Sequence, residues 1–543
     1  MPPSLLDVGW ITCARGGCPG AAHPPYGRCL AHLDPHELES RLQSLSPGQG
    51  VDLRGTVVSA ELLDLVLAAT RRSLGRARFD LARFPAAARF SGVEFLGDAS
   101  FDRARFDGLA SFFGARFTGN VSFGEAAFAR ELSMHGSRVH GHASFDQVRV
   151  GSDALFGDAC LSSASFDQAD FNGFTSFDET RFHGEARFRG ARFRRAVSLS
   201  RSAFDGAAAF DGARFAGGAF LSPASVAGRL VLAGARADGR LEIDAVGCLI
   251  DLRNARISGR LVIRLGDADV DLCGLVSRGQ ASVVRRAGRV RVLSLERLDV
   301  DHLSLTGTDL SGCHLAGVPD PGRLRLTGCV FATTPRGIQL RLSWPPVRWW
   351  SRRQLLADEH AWRFGPARPA LDPGRLKHLY AGLLVDDDRT ATDFAFGAME
   401  MRRMAAARPA VRMVLGAYWL LSGYGLRTGR ALAWLVLVTA VAAAGLLWSS
   451  SAPQHAARRP PGPRTVVPGT APAPTRRPHD PGPPDLGTAR AGQIQQTPDA
   501  TFGEPVPPHA HRVLGYLQPR RDLGRRQRLI SDEQLADTTD HDQ

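Results

Sequence analysis

The stretch Ala99-Ser-Phe101-Asp-Arg-Ala-Arg-Phe106-Asp-Gly-Leu-Ala-Ser-Phe112-Phe-Gly-Ala-Arg-Phe117 sets phenylalanines at alternating steps of five and six residues. The ladder extends back through Phe95, Phe90, Phe84 and Phe79, and forward to Phe215. It has 26 rungs in 137 residues, and 21 of them are Phe. The other five are Met134, Val139, Val150, Leu161 and Leu199, all apolar. Neither the 3.6 period of a helix nor the 2.0 period of a strand fits these steps. A repeat this short cannot bury its apolar side alone, so it predicts a solenoid whose coils stack on their neighbours. Small residues stand two before many rungs (Ala99, Ala104, Ala110, Ala115) and glycine two after others (Gly92, Gly97, Gly108, Gly114), which suits short faces joined by corners. The alternation slips once, where Leu161, Phe166 and Phe171 follow at two successive fives, and one tighter corner is expected there.

The ladder resembles the pentapeptide-repeat proteins, whose repeat is a loose A-(D/N)-(L/F)-x-x. The resemblance implies an all-β solenoid, a right-handed quadrilateral β-helix with four short faces per coil. With alternating fives and sixes, a coil takes 22 residues instead of 20. The tract then supplies about six coils, a rod roughly 30 Å long at the usual inter-strand spacing. A less regular continuation is expected over 221–335. There Gly228-Arg-Leu-Val-Leu, Gly239-Arg-Leu-Glu-Ile and Gly259-Arg-Leu-Val-Ile echo one another, and Leu295, Val300, Leu305, Leu310 and Leu315 keep the five-step. A separate small β domain over 221–290 is the alternative.

Around the regular β-helix of 76–220 the chain divides further. Residues 51–75 contain a helix-forming run from Ser59 to Thr70, suited to capping an open strand edge. Residues 1–50 hold Cys13, Cys18, Cys29 and His32, a thiolate–imidazole set that tetrahedral zinc takes, so this segment reads as a small knuckle with a structural zinc site. His23 is an alternative fourth ligand, and unpaired reduced thiols are the other reading. Cys160, Cys248, Cys273, Cys313 and Cys329 stand singly inside repeats and read as small buried apolar groups.

Residues 336–430 read as a helical juxtamembrane region, with helices near 373–384 and 389–407. The second ends in Glu400-Met-Arg-Arg403, where Glu400 and Arg403 are spaced to share a face. It also resembles a stretch that follows the repeats in membrane-linked pentapeptide proteins. Residues 431–448 carry no charge and are long enough to cross a bilayer. Arg402, Arg403, Arg408, Arg412, Arg427 and Arg430 precede this span, against Arg458 and Arg459 after it, so the positive-inside rule places the repeats on the cytoplasmic side of a single-pass cell-membrane protein. Residues 449–543 read as a Pro-rich disordered linker and a basic tail.

The net charge of +13 does not belong to the ladder. Between 79 and 215 there are 17 acidic residues and 16 arginines, a difference of −1. DNA mimicry needs a strongly negative surface, and nucleic-acid binding a strongly positive one, so neither is favoured. The first residues lack the basic-then-apolar pattern of a secretory signal. No phosphate loop, zincin motif or nucleophile elbow is present, so the chain reads as no enzyme. The expected partners are the membrane and an unidentified protein; the alternative is a regulator or partial DNA mimic acting on a DNA enzyme such as a topoisomerase. Nothing in the sequence decides an oligomeric state.

Overall fold

The computed structural model describes residues 9–450 apart from residues 224, 335–336, 341–346, 351 and 365–371; for 337–340, 347–350 and 449–450 it gives the backbone alone. The chain divides into Met1–Pro453 and Gln454–Gln543. The expected linker and basic tail lie outside the described residues.

Short parallel strands wind into a four-faced solenoid. One turn of it is Ser73–Leu74, Ala77–Arg78, Arg83–Phe84 and Ala88–Arg89, after which Glu94–Phe95 pairs back onto Ser73–Leu74. Every ladder rung points inward and is buried. The rungs form four stacked columns, one per face. The first runs Phe79, Phe101, Phe123, Phe145, Phe166, Phe188, Phe210, with ring centroids 4.5–5.0 Å apart, and so carries the ladder about 30 Å along the axis. Rings in opposite columns meet edge-on across the axis, as Phe90 does Phe101 at 5.5 Å, an arrangement the ring quadrupole favours.

The five–six alternation reflects two kinds of corner. Outside the slip, each five-step closes with a left-handed residue two after the rung: Gly92, Gly114 and Gly136 at one corner, Leu81, Arg103 and Glu125 at the other. The six-steps carry glycines of ordinary φ that coils press together. A Cβ on Gly141 would lie 2.5 Å from the Gly119 carbonyl oxygen, closer than any side-chain carbon tolerates. At the slip, the register between Arg138–Ser144 and Cys160–Ser165 changes from 22 to 21 residues after Val139 and Leu161, because Leu161-Ser-Ser-Ala164 lacks the residue that neighbouring coils place there.

Carboxylates stitch the coils laterally. Asp102 Oδ1 accepts from the Ser122 hydroxyl and, at 2.8 Å, from the Gly124 amide one coil on; Asp178 does the same with Ser198 (2.5 Å) and Ser200 (2.9 Å).

Beyond Phe215 the sheets do not break. Arg214 pairs with Arg236, Arg236 with Arg256, and Leu241–Val246 with Leu261–Gly266, so 221–290 continues the same solenoid. What looks irregular in sequence is a stack with 20 residues per coil. The face begun by Ala88–Arg89 lengthens into the continuous strand Leu241–Val246, and the coil spends fewer residues on turns.

Two helices precede the rod: α1 (Pro35–Gln43) and α2 (Ala60–Ala69). The Ser59 hydroxyl caps α2 by accepting from the Leu62 amide (3.1 Å), and Leu62, Leu63, Val66 and Leu67 are buried with the first coil. At the other end stand α3 (Ala357–Phe364), α4 (Pro373–Gly382) and α5 (Asp388–Ala405). Leu384–Val385 pairs in parallel with Arg325–Leu326, and Phe331 meets Phe394 edge-on at 4.9 Å, so this unit covers the last coils. Two apolar helices follow, α6 (Pro409–Ser422) and α7 (Thr428–Ser450).

Candidate functional site

A close pair of antiparallel bridges, Thr12 to Ala21 and His23 to Arg28, folds residues 12–28 back on themselves, and a short 3-10 turn, Leu30–His32, follows. This brings the Sγ atoms of Cys13, Cys18 and Cys29 and a ring nitrogen of His32 within 4.8 Å of one another. Cys18 and Cys29 Sγ are 3.8 Å apart, and His32 Nδ1 lies 3.4 Å from both Cys13 and Cys29 Sγ. A tetrahedral ion with sulfur at ~2.3 Å and nitrogen at ~2.05 Å needs edges of about 3.8 Å and about 3.5 Å. The four donors can therefore chelate one metal ion. Gly20 makes room for them: a Cβ there would sit 2.7 Å from Cys29 Cβ and 2.9 Å from its Sγ. His23 is buried but stands outside this set.

Metal-free, the thiols compete. Burial, with Cys18 and Cys13 alongside, pushes Cys29 up to about 12. Burial also opposes ionisation of Cys13, yet hydrogen bonding at the Cys29 and Arg15 backbone and at His32 and Cys29 outweighs it and brings Cys13 down to about 6. A doubly charged cation relieves that repulsion by holding all three sulfurs as thiolates. Of the remaining cysteines, Cys248 and Cys313 are buried as expected, whereas Cys160, Cys273 and Cys329 are only partly covered.

The second site is the helix α7. Its segment Thr428–Trp448 has a mean hydropathy of 2.2 and no part of its apolar window is buried in the protein. Among the described residues it is the one helix long and apolar enough to cross a membrane.

Between rod and α7 lies an ionic cluster that sequence reasoning missed. Arg353 donates to Glu359 and, at 3.0 Å, to Glu400. Arg363 contacts Glu359 (2.6 Å) and Glu400 (3.1 Å), and the Tyr380 hydroxyl donates to Glu359 at 2.5 Å. Glu359, Arg353 and Arg363 are almost wholly buried. Burial would raise Glu400, but the guanidinium groups of Arg353, Arg363 and Arg403 hold it below the ordinary carboxylate value. The expected Glu400–Arg403 pair is present but long, at 3.9 Å, because Glu400 turns toward the two buried arginines.

The rod surface sorts its near-zero charge into stripes. On the face begun by Arg83–Phe84, Arg192, Arg214, Arg236 and Arg256 stand in register on four successive coils, all exposed. None of them has an ion pair among the described residues, whereas Arg194 and Arg253 nearby are paired with Asp170 and Asp251. Like charges directly opposite across strands destabilise a sheet. Arg149, Arg192 and Arg214 also line a groove of 370 Å³ with Gln147 and Gln168.

The class defined by these features is a β-solenoid scaffold with a chelating knuckle at one end and a single apolar helix beyond the other. Residues 79–127 and 160–203 match the profile of the family described as Pentapeptide repeats (9 copies). The chain thus carries a pentapeptide-repeat domain, a solenoid of the kind that generally binds or supports rather than catalyses. No curated protein and no solved structure matches the chain.

Proposed function

We propose that this protein is a single-pass membrane scaffold in which α7 crosses the bilayer and the rod presents a docking surface to a protein partner on the cytoplasmic side. The observation that carries the reading is the bare apolar helix. A soluble protein does not leave 21 such residues in water, since contiguous exposed apolar surface marks a membrane or partner contact. The six arginines from Arg402 to Arg430 ahead of the span support the cytoplasmic side for the rod.

The ion held by Cys13, Cys18, Cys29 and His32 is zinc in this reading. Four protein donors leave no open position, so its part is to fold the knuckle. The arginine stripe is the surface a partner with an acidic face would meet; in-register like charges cost stability in the free rod, and an anionic partner removes that cost. The alternative of a DNA-mimicking regulator of a topoisomerase has less support, because the row of unpaired in-register charges from Arg192 to Arg256 is arginine.

Fractionation tests the tether: full-length protein should stay in the membrane pellet through high salt and leave it with detergent. Recovery in the soluble fraction without detergent overturns the reading. Affinity capture with and without Arg192→Gln/Arg214→Gln/Arg236→Gln tests the docking face. The partner should be lost with the triple variant. Capture of a topoisomerase unaffected by removal of 431–448 would favour the alternative.

A further inference from the structure

Helix α6 poses a problem that a tether alone does not solve. Val411, Val414, Tyr418 and Leu421 follow one another at steps of three and four along one face, and all are exposed, Val414 by 68%. Met413 and Leu420 beside them are exposed too. At 1.5 Å per residue the 14 residues of α6 cover about 21 Å, too short to cross a hydrocarbon core of about 30 Å. An apolar helix of this length fits the membrane interface.

Its level is fixed by α7. The Trp434 indole, within the second turn of α7, donates to the Leu420 carbonyl at 3.0 Å, so the end of α6 sits where α7 begins its uncharged run. Gly423, in the left-handed conformation, closes α6 and turns the chain into that corner.

Cations ring the same corner. The guanidinium carbons of Arg403 and Arg430 lie 5.0 Å and 5.1 Å from the Trp419 ring centroid, and Arg430 donates to the Trp419 carbonyl at 3.3 Å. Arg427 is taken by Asp393 at 2.7 Å. Arg403 reaches Glu400 only at 3.9 Å, because Glu400 is held by Arg353 at 3.0 Å and by Arg363 at 3.1 Å. Arg402 and Arg408 have no ion pair among the described residues. Arg412 spends one donor on the Ala406 carbonyl at 3.1 Å.

We propose that α6 lies in the headgroup–acyl boundary of the leaflet that α7 enters, and that Arg403 and Arg430 beside Trp419, with Arg402 and Arg408, form a binding site for the phosphate groups of anionic phospholipids. The inference rests on α7 crossing the bilayer. The exposed face of α6 supplies the apolar contact, Trp419 suits the polar–apolar border, and the arginines supply forks that match phosphate oxygens. The surplus charge at the corner is drawn to an anionic leaflet and, by setting the depth of α6, joins the capped rod to the membrane at two points.

The test uses the full-length chain in nanodiscs of phosphatidylcholine alone or with ~30 mol% phosphatidylglycerol, read by hydrogen exchange and by native mass spectrometry of retained lipid. Exchange over 409–422 should be about tenfold slower in the anionic discs, and phosphatidylglycerol should be retained in preference to phosphatidylcholine. Arg403→Gln/Arg430→Gln should abolish both effects while 428–448 stays protected. Arg402→Gln/Arg408→Gln, which removes no internal ion pair, should weaken them and guards against misfolding of the first variant. Equal exchange in the two disc types, or retention unchanged in both variants, overturns the proposal. So does matching protection from inorganic phosphate with phosphatidylcholine alone, which would make the site one for free phosphate. Free exchange over 428–448 in every disc would instead overturn the membrane reading itself.

Discussion

Phe112 and Phe113 are adjacent and chemically identical, yet the solenoid assigns them opposite fates. Phe112 is a buried rung, stacked on Phe90 at 4.9 Å and meeting Phe101 and Phe123 edge-on at 5.4 Å and 5.2 Å. Phe113 is 54% exposed, and its ring lies 5.6 Å from that of His135. Truncating a buried Phe costs about 3–5 kcal/mol. Loss of three ring contacts, each about 0.5–1.5 kcal/mol where aromatic geometry is good, puts Phe112→Ala toward the upper end. Coils interact with nearest neighbours, so the loss should be local. At about 1.4 kcal/mol per decade, exchange of the Phe90 and Phe112 amides should rise by about 10³-fold or somewhat more. These amides are bonded at 2.7 Å to the Ser111 and Ser133 carbonyls. The coils around Ile243 should be unchanged. Phe113→Ala should stay within about 0.5 kcal/mol, a change of roughly twofold. Equal effects from the two variants would refute the inward assignment, and uniform loss of protection along the rod would refute the nearest-neighbour account.

Four further expectations concern other parts of the chain. Full-length protein purified under reducing conditions should carry zinc at close to one equivalent; Cys29→Ser should release it, and acid should too, because protons compete for the three thiolates, with the metal lost as pH falls. Near-absent zinc by elemental analysis would dismiss the site. Gly141→Ala should destabilise, although Ala at an ordinary φ usually gains about 0.5–1 kcal/mol over Gly, since its Cβ meets the Gly119 backbone at 2.5 Å, whereas Gly136→Asn should be mild because Asp158, Glu179 and Arg201 already hold the same positive-φ corner; urea midpoints rank the two. Glu359→Gln strips one carboxylate from a buried cluster and should cost about 3–5 kcal/mol, seen as early proteolytic cleavage between α3 and α5. In the unsubstituted protein Glu400, depressed below its ordinary 4.5, lends stability that is complete above that value and lost as pH falls through the lower folded value, so this unit should loosen only in acid.

Sequence by itself determined the solenoid, because one repeat recurs so often that only a stacked interior can receive every rung. It also marked the slip at Leu161, the Cys13–His32 donor set and the bare apolar run 431–448, since each is carried by residues close together in the chain. Tertiary structure alone decided how the rod's charges are used. Arg192, Arg214, Arg236 and Arg256 are 22, 22 and 20 residues apart and sum to nothing notable in composition, but coil closure sets them side by side. It likewise decided that part of the ladder's glycines serve positive φ and part close backbone contact, and that 221–290 continues the rod in shorter coils. The Arg353–Glu359–Glu400 cluster was illegible for the same reason. Its members are as much as 47 residues apart, with no periodicity to link them, and only the packing of α3 and α5 against the last coils makes them neighbours.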